Sequence, residues 1–558
     1  MIMPKPLSLE KISFVAGPTP GESGLDVDGS QVVILVGPNN SGKSTALREL
    51  EIWSSGNETG MKVIQGADVS WPSAEEGFEM IRQFEADPPS PIPPGRLYIS
   101  VDRPGAERPV EFQVDVDEIR QLMDRGDFGP VRHFYLQPFT LRLDGRGRFG
   151  LADPQSSGHL HEPAKNHLVR LLQSEEARSE VRQLVWDAFG RYFFVDMTGL
   201  TDLRIRMSEV PPPDGVDELS VRQESLDFAN ASPQLTELGD GVQAYTGLVS
   251  AIVGIPSRII LIDEPEAFLH PILSRRLGRD LTRLVGRREG TLVVSTHSPD
   301  FLMGCIEESD SSTIVRLTYE GGLATARSLG ASVLAELMRD PMLRSTGALS
   351  GLFHRAVVVT EGDSDRVVYD EVNRRLGLDG RGVDDCLFVN AQNWQTIAKL
   401  LRPLRELGIP AAAIVDLDTI WSDHRWVSLF EAVGMDVETR DSFNKARNDC
   451  RLILTEYESA RLKAEGLDAL SDERRTVVAR FLEDVSRYGV FVVPVGELES
   501  WLKYLDIEAS KSSWVHELFD RMGTTPESES WVGPGQDDIW AFIDQIAAWV
   551  SDSNTAGV

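Results

Sequence analysis

Cysteine is scarce in this chain of 558 residues: Cys305, Cys386 and Cys450 are the three, and no two stand at CxxC spacing. That argues against a disulfide framework or a thiolate zinc site; three ordinary thiols in a reducing cytoplasm are expected. No run of 18 apolar residues occurs, and stretches such as 248–255 fall far short of a bilayer span. The opening Met1-Ile2-Met3-Pro4-Lys5 has no signal-peptide architecture, so no membrane partner and a cytoplasmic location are expected. Internal repeats and long low-complexity linkers are also missing. Positive charge is in deficit: 56 Lys and Arg face 87 Asp and Glu, a formal net charge of −31. Such a field repels a polyanion, although screening limits it to about 8 Å at physiological salt, so local patches decide contact. One basic cluster exists, Arg275, Arg276, Arg279, Arg283, Arg287 and Arg288, and a solvated helix face is its preferred explanation.

What is present reads as a soluble α/β protein of two to four domains, with 41% apolar and 26% charged residues. Its organising stretch is the β-branched run Val32–Val36 followed by Gly37-Pro38-Asn39-Asn40-Ser41-Gly42-Lys43-Ser44-Thr45 and the helix-friendly Ala46–Leu50. A strand, GxxxxGKS and a helix make a phosphate loop whose N–H groups point at phosphate oxygens. Lys43 would reach the β- and γ-phosphates and Ser44 would ligate Mg²⁺; Gly37, Asn40, Gly42 and Thr45 complete the ATP-binding loop.

Further along, residues 55–130 are rich in Pro and acids and are expected to be an irregular insertion. Arg132–Pro138 reads as a short strand ending in Gln137 and Pro138. The span 160–230 is expected to be a helical insertion and dimerisation region, with an amphipathic helix from His167 to about Phe194 and a loop at Pro211–Pro213. Arg258–Pro265 is an apolar strand ending in Asp263 and Glu264, and Thr291–Pro299 is another ending in His297. Acids at the carboxyl ends of parallel strands can meet a metal-bound phosphate. Phosphoryl-transfer chemistry assigns Asp263 to Mg²⁺, Glu264 to the attacking water and His297 to the γ-phosphate.

After Leu352 strands and helices alternate again. Ala356–Thr360 delivers Glu361, Cys386–Asn390 is a second strand, and Ala411–Val415 delivers Asp416 and Asp418, so acids share the carboxyl edge of a second parallel sheet. Hard oxygen donors of this kind suit Mg²⁺ or Mn²⁺. Without a cation their mutual repulsion raises their own pKa values. As plain structural groups they would be solvated acids and helix caps, with Asp363 and Ser364 the caps of the following helix. Residues 435–487 are charged and helical, an insertion between core strands.

These motifs, in this order, resemble known families. Leu238-Gly239-Asp240-Gly241-Val242-Gln243 is similar to the signature motif of ABC-type ATPases of the RecF/SMC-like branch, with Gly239 where serine usually stands. That resemblance implies ATP bound between two heads, with Gly239 and Gly241 serving the partner's phosphate loop in a homodimer or higher homo-oligomer. It also implies a Q-loop role for Gln137. A glutamate followed two strands later by DxD resembles TOPRIM domains, and an ABC-type head followed by TOPRIM resembles the OLD (overcoming lysogenization defect) nucleases. That family implies catalytic Glu361, Asp416 and Asp418 and metal ligands Glu361, Asp365, Asp416, Asp418 and Glu499, with Glu499 favoured over Glu497. The expected architecture is an ATPase domain over 1–345 and a TOPRIM domain over 346–558. The implied activity is an ATP-controlled, metal-dependent endonuclease in anti-phage defence, acting on DNA in preference to RNA, with an accessory defence protein as a further partner. The alternative is an ATP-driven sensor or scaffold with an inactive TOPRIM domain that binds a partner protein. One departure stands out: the family's lysine near the C-terminus has no counterpart beyond Lys511, leaving Lys503 and Lys511 as substitutes.

Overall fold

The structure is a computed structural model that describes residues 7–29, 31–101, 109–145, 147–158, 164–199, 201–309, 311–330, 332–333, 335, 347–421, 423–508 and 512–552. The chain forms two compact units that divide between Ser332 and Val333. Among the described residues no helix is long and apolar enough to cross a membrane.

In the first unit the strands run, in chain order, β1 (Leu9–Ala16), β2 (Ser23–Asp28), β3 (Val32–Val36), β4 (Ile64–Val69), β5 (Arg96–Val101), β6 (Val110–Asp115) and β7 (Thr140–Leu143). They continue with β8 (Gln155–Ser156), β9 (Tyr192–Asp196), β10 (Asp202–Ser208), β11 (Ile259–Asp263), β12 (Thr291–Ser295), β13 (Thr313–Glu320) and β14 (Leu323–Gly330). The central sheet has the order β14-β13-β3-β12-β11-β7. Its strands are parallel except β14, which closes one edge as a hairpin with β13. Every residue of β3 and of β12 is buried, as expected for a parallel strand covered on both faces. Parallel pairing brings the ends of β3, β11 and β12 to one edge, and that edge carries the phosphate loop, Asp263 and Ser295. A second sheet, β2-β1-β4, is antiparallel. Along β1 the inward Ile12 and Phe14 alternate with Lys11 and Ser13.

Glu49 ties these layers together. It is 5% exposed on the helix Lys43–Ser54 that follows the phosphate loop, and its carboxylate accepts the N–H groups of Lys62, Val63 and Ile64, each at 2.9 Å. Truncation strands three amides, each costing about 1–3 kcal/mol when buried and unsatisfied. Glu49→Ala is therefore expected to lower stability by about 3 kcal/mol or more, measured by chemical denaturation. A loss under about 1 kcal/mol would show that water replaces the carboxylate.

Three sequence expectations need correction. The described residues of 55–130 hold regular elements: β4 pairs with β1, the helix Ala74–Ile81 carries a Ser73–Glu76 capping box, β5 and β6 form a hairpin, and the helix Val116–Asp124 follows. Arg132–Pro138 is not a strand. It winds as a π-type turn, Arg132–Leu136, into the 3₁₀ turn Gln137–Phe139, and the strand begins at Thr140. Pro138 lacks the N–H that a ladder requires, which favours the wound form. Over 160–230 helices occupy only part of the span: His167–Gln173, Glu175–Phe189 and Gln223–Ala231 surround the antiparallel pair β9–β10. Gly190, at φ 62°, ends the long helix before the buried Phe193 and Phe194 enter the sheet.

The arginine cluster lies on and just after the helix Pro271–Arg287 and is largely neutralised. Arg275 pairs with Glu307, Arg283 with Glu308, Arg276 with Asp187 and Asp280, and Arg287 with Glu180. Arg288 donates to the carbonyls of Ile252, Val253 and Ile255. The helix arginines thus form a solvated, ion-paired face, whereas Arg288 is tucked against the backbone.

The second unit is built on β15 (Ala356–Thr360), β16 (Cys386–Asn390), β17 (Ala411–Val415) and β18 (Val490–Val492), in the order β16-β15-β17-β18 and all parallel. Between β17 and β18 the chain runs through the helices Val437–Leu454, Ser459–Glu465 and Asp472–Ser486. The aromatic tail belongs to the core. Trp540 and Trp549 on the helix Asp538–Ser551 join Tyr369, Phe491 and Trp501 in one apolar cluster. Arg375, 1% exposed, donates to the carbonyls of Met522, Gly523 and Val532 and lies 3.9 Å over the Trp531 ring. A buried guanidinium with such acceptors fixes the tail to the helix Asp363–Leu378.

Candidate functional site

In the first unit the phosphate loop leaves β3 with Gly37 at φ 136°, Asn40 at φ 62° and Gly42 at φ 97°. Left-handed backbone at these positions turns successive N–H groups toward one concavity. Lys43 opens the helix and is 5% exposed, with its Nζ 3.3 Å from the Ser41 Oγ. Burial lowers its pKa to about 8 against the opposing pull of Asp263 and Glu264. An anionic phosphate is the partner that would restore its full charge. The Ser44 Oγ donates to the Asp263 Oδ1 at 3.1 Å, and the Ser295 hydroxyl donates to the same oxygen. The two expected Mg²⁺ ligands, Ser44 and Asp263, therefore already touch. Thr45 follows within the same helix.

Glu264 sits in the left-handed region at φ 49°, its N–H bound to the Ser295 carbonyl at 2.9 Å. Held so, its carboxylate lies 3.9 Å from the His297 Nε2. Burial and the Lys43 charge lower the His297 pKa, so the imidazole is neutral at pH 7. Its backbone N–H donates to the Glu266 Oε1 at 2.8 Å. Glu266 and Arg148 are participants that sequence reasoning missed. Arg148, 2% exposed, donates to the Asp263 carbonyl at 3.2 Å and braces the end of β11. Its only sequence signal is an arginine in a polar, glycine-rich loop, which does not single it out.

The signature segment lies apart in its own role. Gly239 precedes the helix Asp240–Gly254 in extended backbone, with open space where a Cβ would project. A serine there meets no steric bar, so the glycine is not imposed by packing. Gly241 is different: a Cβ would stand 3.0 Å from the Phe268 carbonyl. Gln137 opens the 3₁₀ turn that leads into β7.

In the second unit the sheet order places β15 between β16 and β17, so Glu361 and Asp416 leave neighbouring strands on the same edge. The Glu361 Oε1 accepts the Asp416 N–H at 2.9 Å. Burial raises the Glu361 pKa to about 7, helped by the charges of Asp365 and Asp418. Burial raises Asp416 to about 8, with Glu361, Asp365, Asp418 and Glu497 adding repulsion. Asp365 is also pushed up, by burial and by Glu499. Asp365, not Asp363 or Ser364, completes the cap of the helix Asp363–Leu378, since its Oδ2 accepts the Gly362 N–H at 2.8 Å. Glu497, disfavoured from sequence, shares a cation with Asp418: the Lys463 Nζ lies 3.8 Å from Glu497 and 3.7 Å from Asp418. Lys503 is committed elsewhere, donating to the Ala464 carbonyl at 2.8 Å, and Lys511 lies outside the described residues.

The donor set suits a divalent cation chemically: hard carboxylate oxygens whose charges are costly together and buried. Among the described residues no three such side chains already stand at ligating spacing. A cation would therefore have to draw the carboxylates in.

Comparison with known proteins places these features. Residues 139–303 match the family described as AAA domain, putative AbiEii toxin, Type IV TA system. Residues 352–418 match the TOPRIM domain of overcoming lysogenization defect protein-like chains. The chain is 22% identical over 448 residues to the OLD nuclease of Thermus scotoductus (strain ATCC 700910 / SA-01), spanning 71% of this chain and 80% of that one. Similar solved structures include an SMC head bound to the C-winged helix domain of ScpA, at 13% identity and TM-score 0.34, covering 59% of this chain and 99% of that one. Another is the SMC head domain from Thermotoga maritima, at 17% identity and TM-score 0.29, covering 58% and 99%. With GKS, the β11 acids and the strand-edge carboxylates in one polypeptide, the chain joins a P-loop ATPase domain to an OLD-like TOPRIM domain, and it is similar along most of its length to an OLD nuclease.

Proposed function

We propose that this chain is an ATP-controlled, divalent-metal-dependent endonuclease of anti-phage defence, acting on DNA in preference to RNA and working as a homodimer or higher homo-oligomer. The observation that carries the metal-dependent half is the Glu361–Asp416 contact, with the charges of Asp365 and Asp418 bearing on both residues. Glu361, Asp365, Asp416, Asp418 and Glu499 would hold Mg²⁺ or Mn²⁺. Such ions, when bound, polarise a phosphodiester and ease deprotonation of a water. Hydrolysis then adds one water: its oxygen bonds to phosphorus, the ester P–O bond breaks, and the departing oxygen takes up a proton.

In the ATPase half the loop amides and Lys43 would hold the β- and γ-phosphates, and Ser44 and Asp263 would hold the Mg²⁺. Glu264 takes the proton of the attacking water, and neutral His297 donates a hydrogen bond to the γ-phosphate. Gly239 and Gly241 would serve the phosphate loop of a second copy, and Gln137 would line the ATP site. The test is a panel of supercoiled DNA, linear DNA and total RNA with Mg²⁺ or Mn²⁺, with and without ATP. Cutting of DNA supports the proposal; failure to cut any of the three removes the nuclease function.

The carboxylates also fix a pH dependence. Burial and mutual repulsion push Glu361 up to about 7 and Asp416 up to about 8, from ordinary carboxyl values of 4.5 and 3.8. Between those limits the folded state binds more protons than the unfolded state, so metal-free stability falls as pH rises through that window. Mn²⁺ must displace the same protons. Its affinity is expected to rise between about pH 6 and about pH 8.5, with protons released on binding. Calorimetry in buffers of different ionisation enthalpy checks this, and a pH-independent affinity would count against metal binding at these acids.

A further inference from the structure

The acid edge of the second unit faces a small crevice whose walls include Asp416, Asp418, Trp421, Lys463 and Glu497. Lys463 does not come from the catalytic strands; it lies in the last turn of the helix Ser459–Glu465, within the helical insertion. Taken alone, a basic residue in a last turn complements the helix dipole, and half-exposed ion pairs stabilise little. The backbone around it argues for more. Gly496, at φ 108°, approaches so closely that a Cβ would lie 2.3 Å from the Lys463 carbonyl oxygen and 2.6 Å from that of Leu462. Gly466, at φ 58°, approaches the Pro494 carbonyl in the same way, with 2.2 Å left for a Cβ. The Ser500 hydroxyl donates to the carbonyls of Lys463 and Ala464, and Leu467 N–H donates to the Pro494 carbonyl at 2.9 Å. Two glycines, a hydroxyl and a main-chain bond thus clamp this helix end onto the loop that follows β18.

The backbone that carries Lys463 is fixed in place, and its side chain is not spent. Its Nζ stands 3.7 Å from Asp418 and 3.8 Å from Glu497, too far for hydrogen bonds, so its three donors are committed to neither acid. Charge balance asks for such a group. Glu361, Asp365, Asp416, Asp418, Glu497 and Glu499 carry up to six negative charges, two divalent ions offset four, and a phosphodiester brings another. We propose that Lys463 is the cationic residue of the cutting centre, its ammonium gripping a non-bridging oxygen of the scissile phosphate and compensating the charge that builds there. The helical insertion, not the chain's far end, would then supply this charge. The inference rests on the metal-dependent cutting proposed above.

The test uses the full chain as wild type, Lys463→Met and Lys463→Arg, with Mn²⁺ and a supercoiled plasmid. Removing one charge-stabilising donor is expected to lower kcat for cutting by about 10²–10³-fold. Lys463→Arg should recover at least about tenfold of that loss, since a guanidinium also grips phosphate oxygens. Calorimetry with Mn²⁺ alone should show equal or tighter binding in Lys463→Met, because a competing cation has gone. Cutting by Lys463→Met within about threefold of wild type overturns the inference and leaves the parent proposal standing. Loss of Mn²⁺ binding in that variant overturns it too, by making Lys463 a structural support. A wild type that cuts nothing removes the parent proposal and this one together.

Discussion

Glu264→Gln is expected to slow ATP turnover by about 10²–10⁴-fold while ATP binding survives, the loss that follows removal of a general base. Glutamine keeps the size and the backbone of the residue. The left-handed conformation at φ 49° and the bond from its N–H to Ser295 are untouched by an amide. Lys43 and Ser44, which would hold the triphosphate and its Mg²⁺ together with Asp263, lie on the helix Lys43–Ser54, and Asp263 keeps its place at the end of β11. What disappears is the acceptor for the water's proton, beside a histidine whose lowered pKa leaves it neutral. Phosphate release in the steady state, set beside nucleotide binding by fluorescence, separates the two effects. Turnover within threefold of wild type would assign the proton to another group, with Glu266 the first to examine.

The second large effect belongs to the other unit. Asp416→Ala is expected to lower metal-dependent nicking by at least about 10³-fold while ATP hydrolysis continues, since metal-ion catalysis supplies several kcal/mol of transition-state stabilisation. The same substitution should flatten the fall of metal-free stability with pH, because the wild-type residue holds a proton up to about pH 8 that the unfolded chain loses far earlier. An inactive variant that melts with an unchanged pH profile would mean that Asp416 does not carry that proton. Nicking at the wild-type rate would move the cutting centre elsewhere.

How much of this could be read from sequence depended on whether the chemistry was contiguous. The phosphate loop spells its strand, glycines, lysine and hydroxyl within one short stretch, and β11 and β12 announce themselves as buried runs ending in Asp263 and near His297. Glu361 and Asp416 were legible for the same reason, each closing an apolar strand. The failures are non-local. β4 pairs with β1, far upstream, and β5 has half-exposed positions, so neither showed as a strand within a stretch rich in proline and acids. Phe134-Tyr135-Leu136 has the composition of a strand, yet Pro138 and the tertiary contacts of Tyr135 with Phe139 and Trp71 favour a wound backbone. Lys463 meets Asp418 and Glu497 only because Gly466 and Gly496 let two distant backbones touch. Nothing in its own neighbourhood marks it.

The helix Asp538–Ser551 gives its aromatic side chains to the same core that packs β15, β17 and β18. On the ribosome that core cannot close until this late segment has emerged, long after the ATPase strands have been made, since domains fold as units during synthesis. The cutting edge would thus be assembled after the nucleotide site. A nascent chain could hold nucleotide before it had any means of breaking a strand.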